Sequence, residues 1–280
     1  QRVVVPHHVA CGECSQCRRG SETLCPTFRE NLLVPGGFSE LVLVRAAAVE
    51  RAARRLPADL SDAAAVFMEP AACVLRGVDR AGLPDPGPAS VGAISVVVLG
   101  CGSMGLLHLL ALRALYREIR VIVSDPIPER RQLAEALGAE SACAPETLAE
   151  VVATSSHGSG VDAVFDTVGH PTATGGALSL LREGGTLVLF AHAKPGARLP
   201  LEMNHLFKHE RRVVGTYSGS ADEQGRAFEL LSSGRLDPTP LISHRLPLRD
   251  FQRAVELATQ KKALKILLEP DSKDGCHASS

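Results

Sequence analysis

The segment Val96-Val-Val-Leu-Gly-Cys-Gly-Ser-Met-Gly105 decides the fold of this chain. Its four apolar residues, three of them β-branched valines, predict a strand that is buried on both faces. Gly100, Gly102 and Gly105 form the pattern G-x-G-x-x-G, and the apolar run from Leu106 to Leu115 predicts a helix directly after it. Strand, glycine turn and helix in this order are typical of a unit that binds the diphosphate of a dinucleotide.

Each glycine has its own role in this interpretation. Gly100 makes the tight turn, Gly102 lets the backbone approach the diphosphate, and Gly105 lets the helix pack closely on the strand. Ser103 and Met104 begin the helix, whose free N–H groups are expected to face the diphosphate. The glycine pattern alone is weak evidence and needs support from the neighbouring strand.

The next predicted strand, Arg120 to Asp125, ends in an acidic residue twenty positions after the last glycine. A carboxylate at this place accepts hydrogen bonds from the adenosine ribose and repels a 2′-phosphate, so NAD is expected in preference to NADP. Arg130 and Arg131 lie one helical turn further on, near enough to contact a phosphate, which keeps NADP as the alternative. In another interpretation, Asp125 is only a turn residue before Pro126.

Size and composition limit the classes of protein that need to be considered. A chain of 280 residues is long enough for two domains. Its net charge of −1, with acids and bases interspersed, gives no indication of a nucleic-acid or membrane partner. No apolar run approaches transmembrane length. We therefore expect a cytoplasmic α/β protein.

Four cysteines near the N-terminus form the most specific motif in the chain. They are separated by two, two and seven residues: Cys11, Cys14, Cys17 and Cys25. Four thiolates at this spacing can close tetrahedrally on one Zn²⁺ and leave no open position, so a structural site is predicted. The clustering indicates a metal in a reducing compartment. Two disulfides, free thiols or an iron–sulfur cluster are the alternatives, and the nearby His7 and His8 are expected to be surface or domain-contact residues.

The cysteine lobe, the segment Gly36-Gly-Phe-Ser-Glu40 and the glycine motif with Asp125 together resemble the zinc-dependent medium-chain alcohol and polyol dehydrogenases. The likeness is closest to the sorbitol and threonine dehydrogenase branch and extends from Arg2 to Pro270. It implies a Rossmann doubly wound parallel sheet and a partial GroES-like, β-rich catalytic domain that carries the zinc lobe. A small-molecule alcohol as substrate and a homodimer or homotetramer are further implications.

The expected domains follow from this resemblance. Residues 1–66 are expected to form the partial GroES-like domain, 67–235 the Rossmann NAD-binding domain, and 236–270 the return to the catalytic domain. The small, polar segment 271–280 is predicted to be a disordered tail.

The resemblance also gives Glu69, in the motif Met68-Glu-Pro70, a catalytic role. In the polyol branch a Glu at this place approaches the catalytic zinc, so Glu69 is expected to be a ligand of that zinc, directly or through water. From the residues alone, the predicted helix from Asp62 to Val74, capped by Ser61, would bury this carboxylate among apolar flanks, and a buried carboxylate needs a partner. The alternative is a partly exposed, hydrogen-bonded Glu.

The family's other catalytic-zinc ligands, a Cys and a His, would lie upstream of residue 1. The chain starts with Gln1 in what is predicted to be the middle of a strand, so we expect an N-terminal part of the family's fold to be missing. Later strand ends are expected to approach the cofactor, at Val168, Ala191, His192, Tyr217 and Ser218. Asp162 and Asp166 are interpreted as capping or structural residues.

These features predict a zinc-containing, NAD-dependent dehydrogenase of a secondary alcohol: a polyol, cyclitol, sugar or amino alcohol. A short-chain dehydrogenase is excluded, because Tyr116 and Tyr217 are followed four residues later by Arg120 and Ala221 instead of Lys. Two alternatives stay open. One is a methyltransferase using S-adenosylmethionine, which the third glycine and the cysteine lobe oppose. The other is a zinc-stabilised NAD-binding protein without turnover.

Overall fold

The chain divides into two compact units, which are described separately. The computed structural model describes residues 1–30, 33–84 and 93–270. One unit contains Gln1–Val66 and the chain from Pro238 onward, and the other contains Phe67–Asp237. The predicted tail 271–280 lies outside the described residues.

The regular elements of the described residues are short in the first unit and longer in the second. The strands are β1 (Val3–Val4), β2 (Leu33–Val34), β3 (Leu43–Val44), β4 (Arg54–Arg55), β5 (Ile94–Leu99), β6 (Ile119–Ser124), β7 (Ser141–Cys143), β8 (Val161–Asp166), β9 (Leu181–Leu189), β10 (Arg212–Gly215), β11 (Ile242–Pro247) and β12 (Lys265–Glu269). The α-helices are α1 (Ser15–Arg18), α2 (Ala46–Ala52), α3 (Asp62–Ala65), α4 (Met68–Ala81), α5 (Ser103–Leu115), α6 (Pro128–Ala136), α7 (Leu148–Ser155), α8 (Pro171–Leu180), α9 (Met203–Phe207), α10 (Ala221–Ser232) and α11 (Phe251–Thr259). Within the part of the chain that is described, none of these helices combines the length and hydropathy that a membrane span requires.

Six strands of the second unit form one sheet in the order β10-β9-β8-β5-β6-β7. Every neighbouring pair is parallel. The chain runs outward from β5 to β7, returns to β8 on the other side of β5, and runs outward again to β10. This is the doubly wound Rossmann order, so the predicted fold class is confirmed. The strand order reverses between β5 and β8, where such sheets bind ligands at the carboxyl ends of the strands.

The central strands are apolar because helices cover both faces of a doubly wound sheet. Val96, Val97 and Val98 of β5 are buried, as are Val164 and Phe165 of β8. At about 25 cal/mol for each Å² of apolar surface removed from water, each of these side chains contributes roughly 1.5–3 kcal/mol. The valine run that predicted β5 is therefore also the centre of the core.

A histidine lies in this core. His108 of α5 is fully buried beside the rings of Phe165 and Phe190, and its Nδ1–H donates to the carbonyl oxygen of Met104 at 2.8 Å. Burial lowers the pKa of His108 to about 4. The ring is consequently neutral at pH 7 and packs as an apolar group.

The predicted helix from Asp62 to Val74 is wrong in one respect, because the structure divides it. Ser61 does cap it, with its hydroxyl oxygen accepting the N–H of Ala64 at 3.1 Å, but α3 ends at Ala65 and α4 begins at Met68. The cause is Pro70, which has no N–H to donate into a continuing helix. In the first turn of a new helix that missing donor costs nothing, so the chain restarts there.

In the first unit, the described strands form three small two-stranded sheets. β1 pairs with β4 and β2 with β3 in antiparallel fashion, whereas β11 and β12 are parallel. The segment that contains α1 adds only short helical turns around the four cysteines. Such a lobe has little apolar core of its own, so its fold would have to be stabilised by covalent cross-links or by a metal.

Candidate cofactor and metal sites

The glycine turn between β5 and α5 has the geometry that its sequence predicts. Gly100 has a φ of +93°, in the left-handed region. A Cβ on Gly105 would lie 1.9 Å from the carbonyl oxygen of Gly100, so only glycine allows this contact. A Cβ on Gly102, by contrast, would meet no atom within 4 Å. The first and third glycines serve the turn and the packing, and the second borders open space.

The N-terminus of α5 is suited to an anion. Gly102 is its N-cap and supplies no side chain to the first turn, in which Ser103, Met104 and Gly105 contain no acidic group. Backbone N–H groups at a helix start carry a partial positive charge and lack intrahelical acceptors. A diphosphate placed here would be stabilised without repulsion from the helix.

Asp125 lies beside this turn and is only 4% exposed. One carboxylate oxygen accepts the N–H of Cys101 at 2.7 Å, and the other accepts the N–H of Ile127 at 2.9 Å. The second bond forms an Asx-type turn before Pro126, so Asp125 has a structural task in this turn. A carboxylate accepts about four hydrogen bonds, which leaves capacity for ribose hydroxyls. Arg131 donates to the carbonyl oxygen of Asp125 at 2.7 Å, and Arg130 is half-buried next to it.

The other residues predicted to approach the cofactor follow neighbouring strands of the sheet. They stand after β8, β9 and β10, at Val168, Ala191, His192, Tyr217 and Ser218. Because the carboxyl ends of parallel strands share one edge, these residues lie along the same edge as the glycine turn and Asp125. Within this set, a Cβ on Gly169 would lie 2.5 Å from the carbonyl oxygen of His192, which shows how closely the turns after β8 and β9 approach.

The paired acids of β8 are structural, as predicted. Asp166 accepts the N–H groups of Val168 and Gly169 at 2.9 and 3.0 Å and the hydroxyl of Thr174 at 2.6 Å. Asp162 accepts from Arg182 at 2.8 Å. Asp166 therefore fixes the turn in which Val168 lies.

The four cysteines of the first unit converge in space. Their Sγ atoms all lie within 4.8 Å of one another, at 3.5 Å for Cys11–Cys25 and Cys14–Cys17 and 3.9 Å for Cys11–Cys17. A tetrahedron with Zn–S bonds of about 2.3 Å has S–S edges of about 3.8 Å. All four cysteines are free thiols. The donor set and its spacing fit one zinc ion.

Local backbone groups favour the thiolate of Cys25, whereas burial and the neighbouring thiol of Cys14 raise the pKa of Cys17 to about 12. Burial raises the pKa of Cys25, but hydrogen bonds from the backbone of Cys11, Phe28 and Thr27 outweigh it and bring the pKa to about 6. The amide of Cys14 lies 3.4 Å from Cys11 Sγ, and the buried ring of Phe28 packs under the cluster. Amide donors and an apolar floor are what a thiolate metal site requires around it. His8 stacks on Phe28 and is not among the clustered donors.

Glu69 is half-buried in the first turn of α4, and its hydrogen-bond partner is Cys73. The thiol donates to Glu69 Oε1 at 3.2 Å, and the nearby Ser218 side chain acts to lower the pKa of Cys73. Burial, together with the negative charge of Glu69, raises the pKa of Cys73, so the thiol is neutral at pH 7. The predicted alternative of a partly exposed, hydrogen-bonded Glu describes this environment. Cys73 was not predicted as the partner, although its spacing of four residues on a helix would have allowed it.

A doubly wound sheet with this glycine turn and a separate four-thiol lobe define the class of zinc-binding dehydrogenases. The family model "Zinc-binding dehydrogenase" matches residues 103–233, and "Alcohol dehydrogenase GroES-like domain" matches residues 1–54. The chain belongs to the zinc-dependent medium-chain alcohol dehydrogenase family of oxidoreductases. The predicted family and the GroES-like part are thereby confirmed, and the methyltransferase alternative is not supported.

Individual proteins agree with this assignment. The chain is 30% identical to D-altritol 5-dehydrogenase of Agrobacterium fabrum over 252 residues, which are 89% of this chain and 70% of that enzyme. It is 30% identical over 268 residues to L-threonine 3-dehydrogenase of Bacillus velezensis, covering 94% and 73% of the two chains. A zinc-binding dehydrogenase structure from Sinorhizobium meliloti, bound to NADP, superposes with a TM-score of 0.80 at 26% identity, covering 96% and 76%.

Proposed function

We propose that this protein is a zinc-dependent, NAD-linked dehydrogenase that transfers a hydride between a secondary alcohol and the nicotinamide. The observation that carries the proposal is the glycine turn, where Gly102 borders open space at a helix start and Asp125 lies against Cys101. The relatives named for D-altritol and L-threonine support a polyol or an amino alcohol as substrate class.

The chain's own residues have defined tasks in this proposal. Gly102 and the N–H groups of Ser103 and Met104 bind the diphosphate, and Asp125 accepts the ribose hydroxyls. Val168, Ala191, His192, Tyr217 and Ser218 line the strand ends toward the nicotinamide. The bound NAD supplies the hydride acceptor.

Two zinc roles are proposed for different residues. Cys11, Cys14, Cys17 and Cys25 hold a structural ion, since four thiols within 4.8 Å leave no position for substrate. Glu69 is proposed as a ligand of a second, catalytic zinc, because its half-buried carboxylate has only a neutral thiol as its hydrogen-bond donor on α4. That ion would act as a Lewis acid on the alcohol oxygen.

The proposed function is tested by cofactor binding and turnover with the Glu69→Gln variant. We expect the protein to bind NADH and, when the upstream Cys and His ligands that the family resemblance implies are present, to oxidise at least one secondary alcohol from a panel of polyols and amino alcohols. Glu69→Gln removes a charge from the metal site, so turnover should fall at least about 100-fold, equivalent to roughly 2.7 kcal/mol of barrier, while the Kd for NADH changes little. The measurements are nicotinamide fluorescence and NADH absorbance.

Glu135→Gln provides the matched control, since Glu135 is an exposed carboxylate on α6, and it should retain wild-type turnover. A wild-type protein that does not bind NADH would contradict the dinucleotide site. Binding without oxidation of any alcohol would instead favour the NAD-binding protein without turnover.

Cofactor choice is tested separately at Asp125. We expect the wild-type protein to bind NADH about tenfold or more tightly than NADPH, because the carboxylate repels the 2′-phosphate. Asp125→Asn should reduce this ratio to about threefold or less, since the charge is lost while the amide oxygen still accepts one backbone N–H. Glu129→Gln, an exposed charge change in the first turn of α6, should leave the ratio unchanged. A wild-type preference for NADPH would contradict the NAD proposal.

A further inference from the structure

One face of α4 is covered by the loop that leads from β10 into α10. Glu69, Ala72, Cys73 and Arg76 share this face, because residues three and four apart are neighbours on a helix. The loop spans 216–220 and contacts the face at its middle. A Cβ on Gly219 would lie 2.6 Å from the carbonyl carbon of Ala72, so the two backbones touch there.

A buried ion pair fastens the end of this loop to α4. Arg76 Nη1 lies 2.9 Å from Glu223 Oε1, and both side chains are only 8% exposed. The other oxygen of Glu223 accepts the N–H of Ser220 at 2.7 Å and also the Ser220 hydroxyl. Burial raises the pKa of Glu223, but Ser220 and Arg76 outweigh it and hold the pKa below its usual value. One ionised carboxylate thus links α4, the first turn of α10 and the last residue of the loop.

The loop needs such a link because its backbone is strained. Ser218 has a φ of +55°, in the left-handed region that residues with a Cβ rarely occupy. A conformation of this kind persists only where its surroundings hold it. Ser218 lies near Cys73, and it is followed by Gly219, whose backbone touches Ala72, and by Ser220, whose N–H donates to Glu223.

We propose that Arg76 and Glu223 are positioning residues: their ion pair keeps the loop 216–220 on α4 in the one conformation that presents Tyr217 and Ser218 to the cofactor. The same clamp keeps Ser218 on Cys73, and Cys73 in turn on Glu69. This inference rests on the proposed function, in which the loop contacts the nicotinamide nucleotide. In this proposal Arg76 and Glu223 support cofactor binding by holding the loop, without contacting the cofactor themselves.

The test removes both charges together, in Arg76→Met/Glu223→Met. Replacing a buried ion pair by apolar residues of similar volume is often neutral for stability. Removing only one partner is destabilising, because it leaves the other charge buried without a partner. In the zinc-loaded, cofactor-free protein, we expect amide hydrogen exchange at 216–220 to accelerate at least about tenfold, with exchange in β5 unchanged. If the loop then holds its binding conformation a tenth of the time, the apparent Kd for NADH rises about tenfold.

A second ion pair between the same two helices is the control. Arg226 and Asp79 also join α10 to α4, at 2.6 Å, but they are more than a third exposed and contact no residue of the loop by hydrogen bond. Arg226→Gln/Asp79→Asn should leave both readouts at wild-type values. Ser220→Ala, which keeps the buried pair and removes only the hydroxyl, should accelerate loop exchange about fivefold, as expected for a lost N-cap.

The outcomes separate this proposal from the proposed function. Unchanged exchange at 216–220 in the double variant would overturn the proposal that the ion pair holds the loop. Exchange that accelerates equally in β5 would also overturn it, because that result indicates a general loss of stability. Faster loop exchange with an unchanged Kd for NADH would overturn the positioning role toward the cofactor. If the wild-type protein does not bind NADH, the proposed function fails, while loop exchange still shows whether the ion pair holds the loop.

Discussion

Replacing Cys25 with serine is expected to remove zinc from the cysteine lobe and to unfold that lobe. Cys25 is the buried member of the four-thiol cluster, with its Sγ 3.5 Å from that of Cys11. A serine hydroxyl is a far weaker ligand for zinc than a thiolate. Structural zinc can contribute on the order of 10 kcal/mol to a small domain, so the loss of even a third of this would lower Tm by about 10 °C.

The measurement is zinc content by elemental analysis together with thermal unfolding. Glu13→Gln changes an exposed residue of the same loop without touching a thiol, so it should keep both the metal and the Tm. Chelation of zinc from the wild-type protein should reproduce the effect of Cys25→Ser. A wild-type protein without zinc would contradict a metal at this cluster, and a Cys25→Ser variant that keeps its zinc and Tm would contradict the role of Cys25.

Local signals account for the parts of the fold that were predicted. The valines of β5 are consecutive because the strand is covered on both faces, so an apolar run in the sequence directly reports its position. Helix α10 extends over Ala221–Ser232. Its start is marked by a capping box of Ser220 and Glu223, three residues apart, in which both hydrogen bonds are formed. Signals of this kind involve neighbours in the chain and need no tertiary information.

The cysteine cluster could also be predicted from neighbours in the chain, whereas the surroundings of Glu69 could not. The four thiols lie within fifteen residues, so tight turns alone can bring them together. The position of Glu69 was predicted only by resemblance, and its partner Cys73 was missed. The chain also restarts its helix at Met68, so Glu69 lies in the first turn of α4, where it is half-buried.

Contacts between distant segments could not be predicted at all. Arg76 and Glu223 are 147 residues apart, and their ion pair exists only because the sheet order brings α4 and α10 together. The same holds for Asp125 and Cys101, whose contact depends on the register of β5 and β6. Periodicity shows which face of an element is buried, but it contains no information about which partner covers that face.

Gly105→Ala and Gly102→Ala, two substitutions in the glycine turn, are both expected to weaken NADH binding. Only Gly105→Ala is expected to destabilise the fold. In Gly105→Ala the new methyl group would lie 1.9 Å from the carbonyl oxygen of Gly100, a backbone atom that cannot rotate away. The turn between β5 and α5 must therefore shift, which costs about 1–3 kcal/mol or more and lowers Tm by several degrees. The diphosphate site at the helix start is lost with it, so NADH should no longer bind measurably.

Gly102→Ala separates binding from folding. Its φ of −72° suits alanine and its Cβ would meet no atom within 4 Å, so Tm should stay within about 1 °C of wild type. The methyl group would nevertheless stand where the backbone is proposed to approach the diphosphate, and we expect NADH binding to weaken at least about tenfold, or 1.4 kcal/mol. Thermal unfolding and nicotinamide fluorescence measure the two effects independently.

Gly225→Ala shows what the same chemical change does away from the turn. Gly225 lies inside α10, and a methyl group on it would meet no atom within 4 Å, so alanine should stabilise the protein by about 0.5–1 kcal/mol and leave NADH binding unchanged. The glycine turn is the cofactor site only if Gly102→Ala weakens binding while Gly225→Ala does not. Equal NADH affinity in wild type and Gly102→Ala would mean that the diphosphate binds elsewhere, because a methyl group at the closest point of approach cannot be neutral.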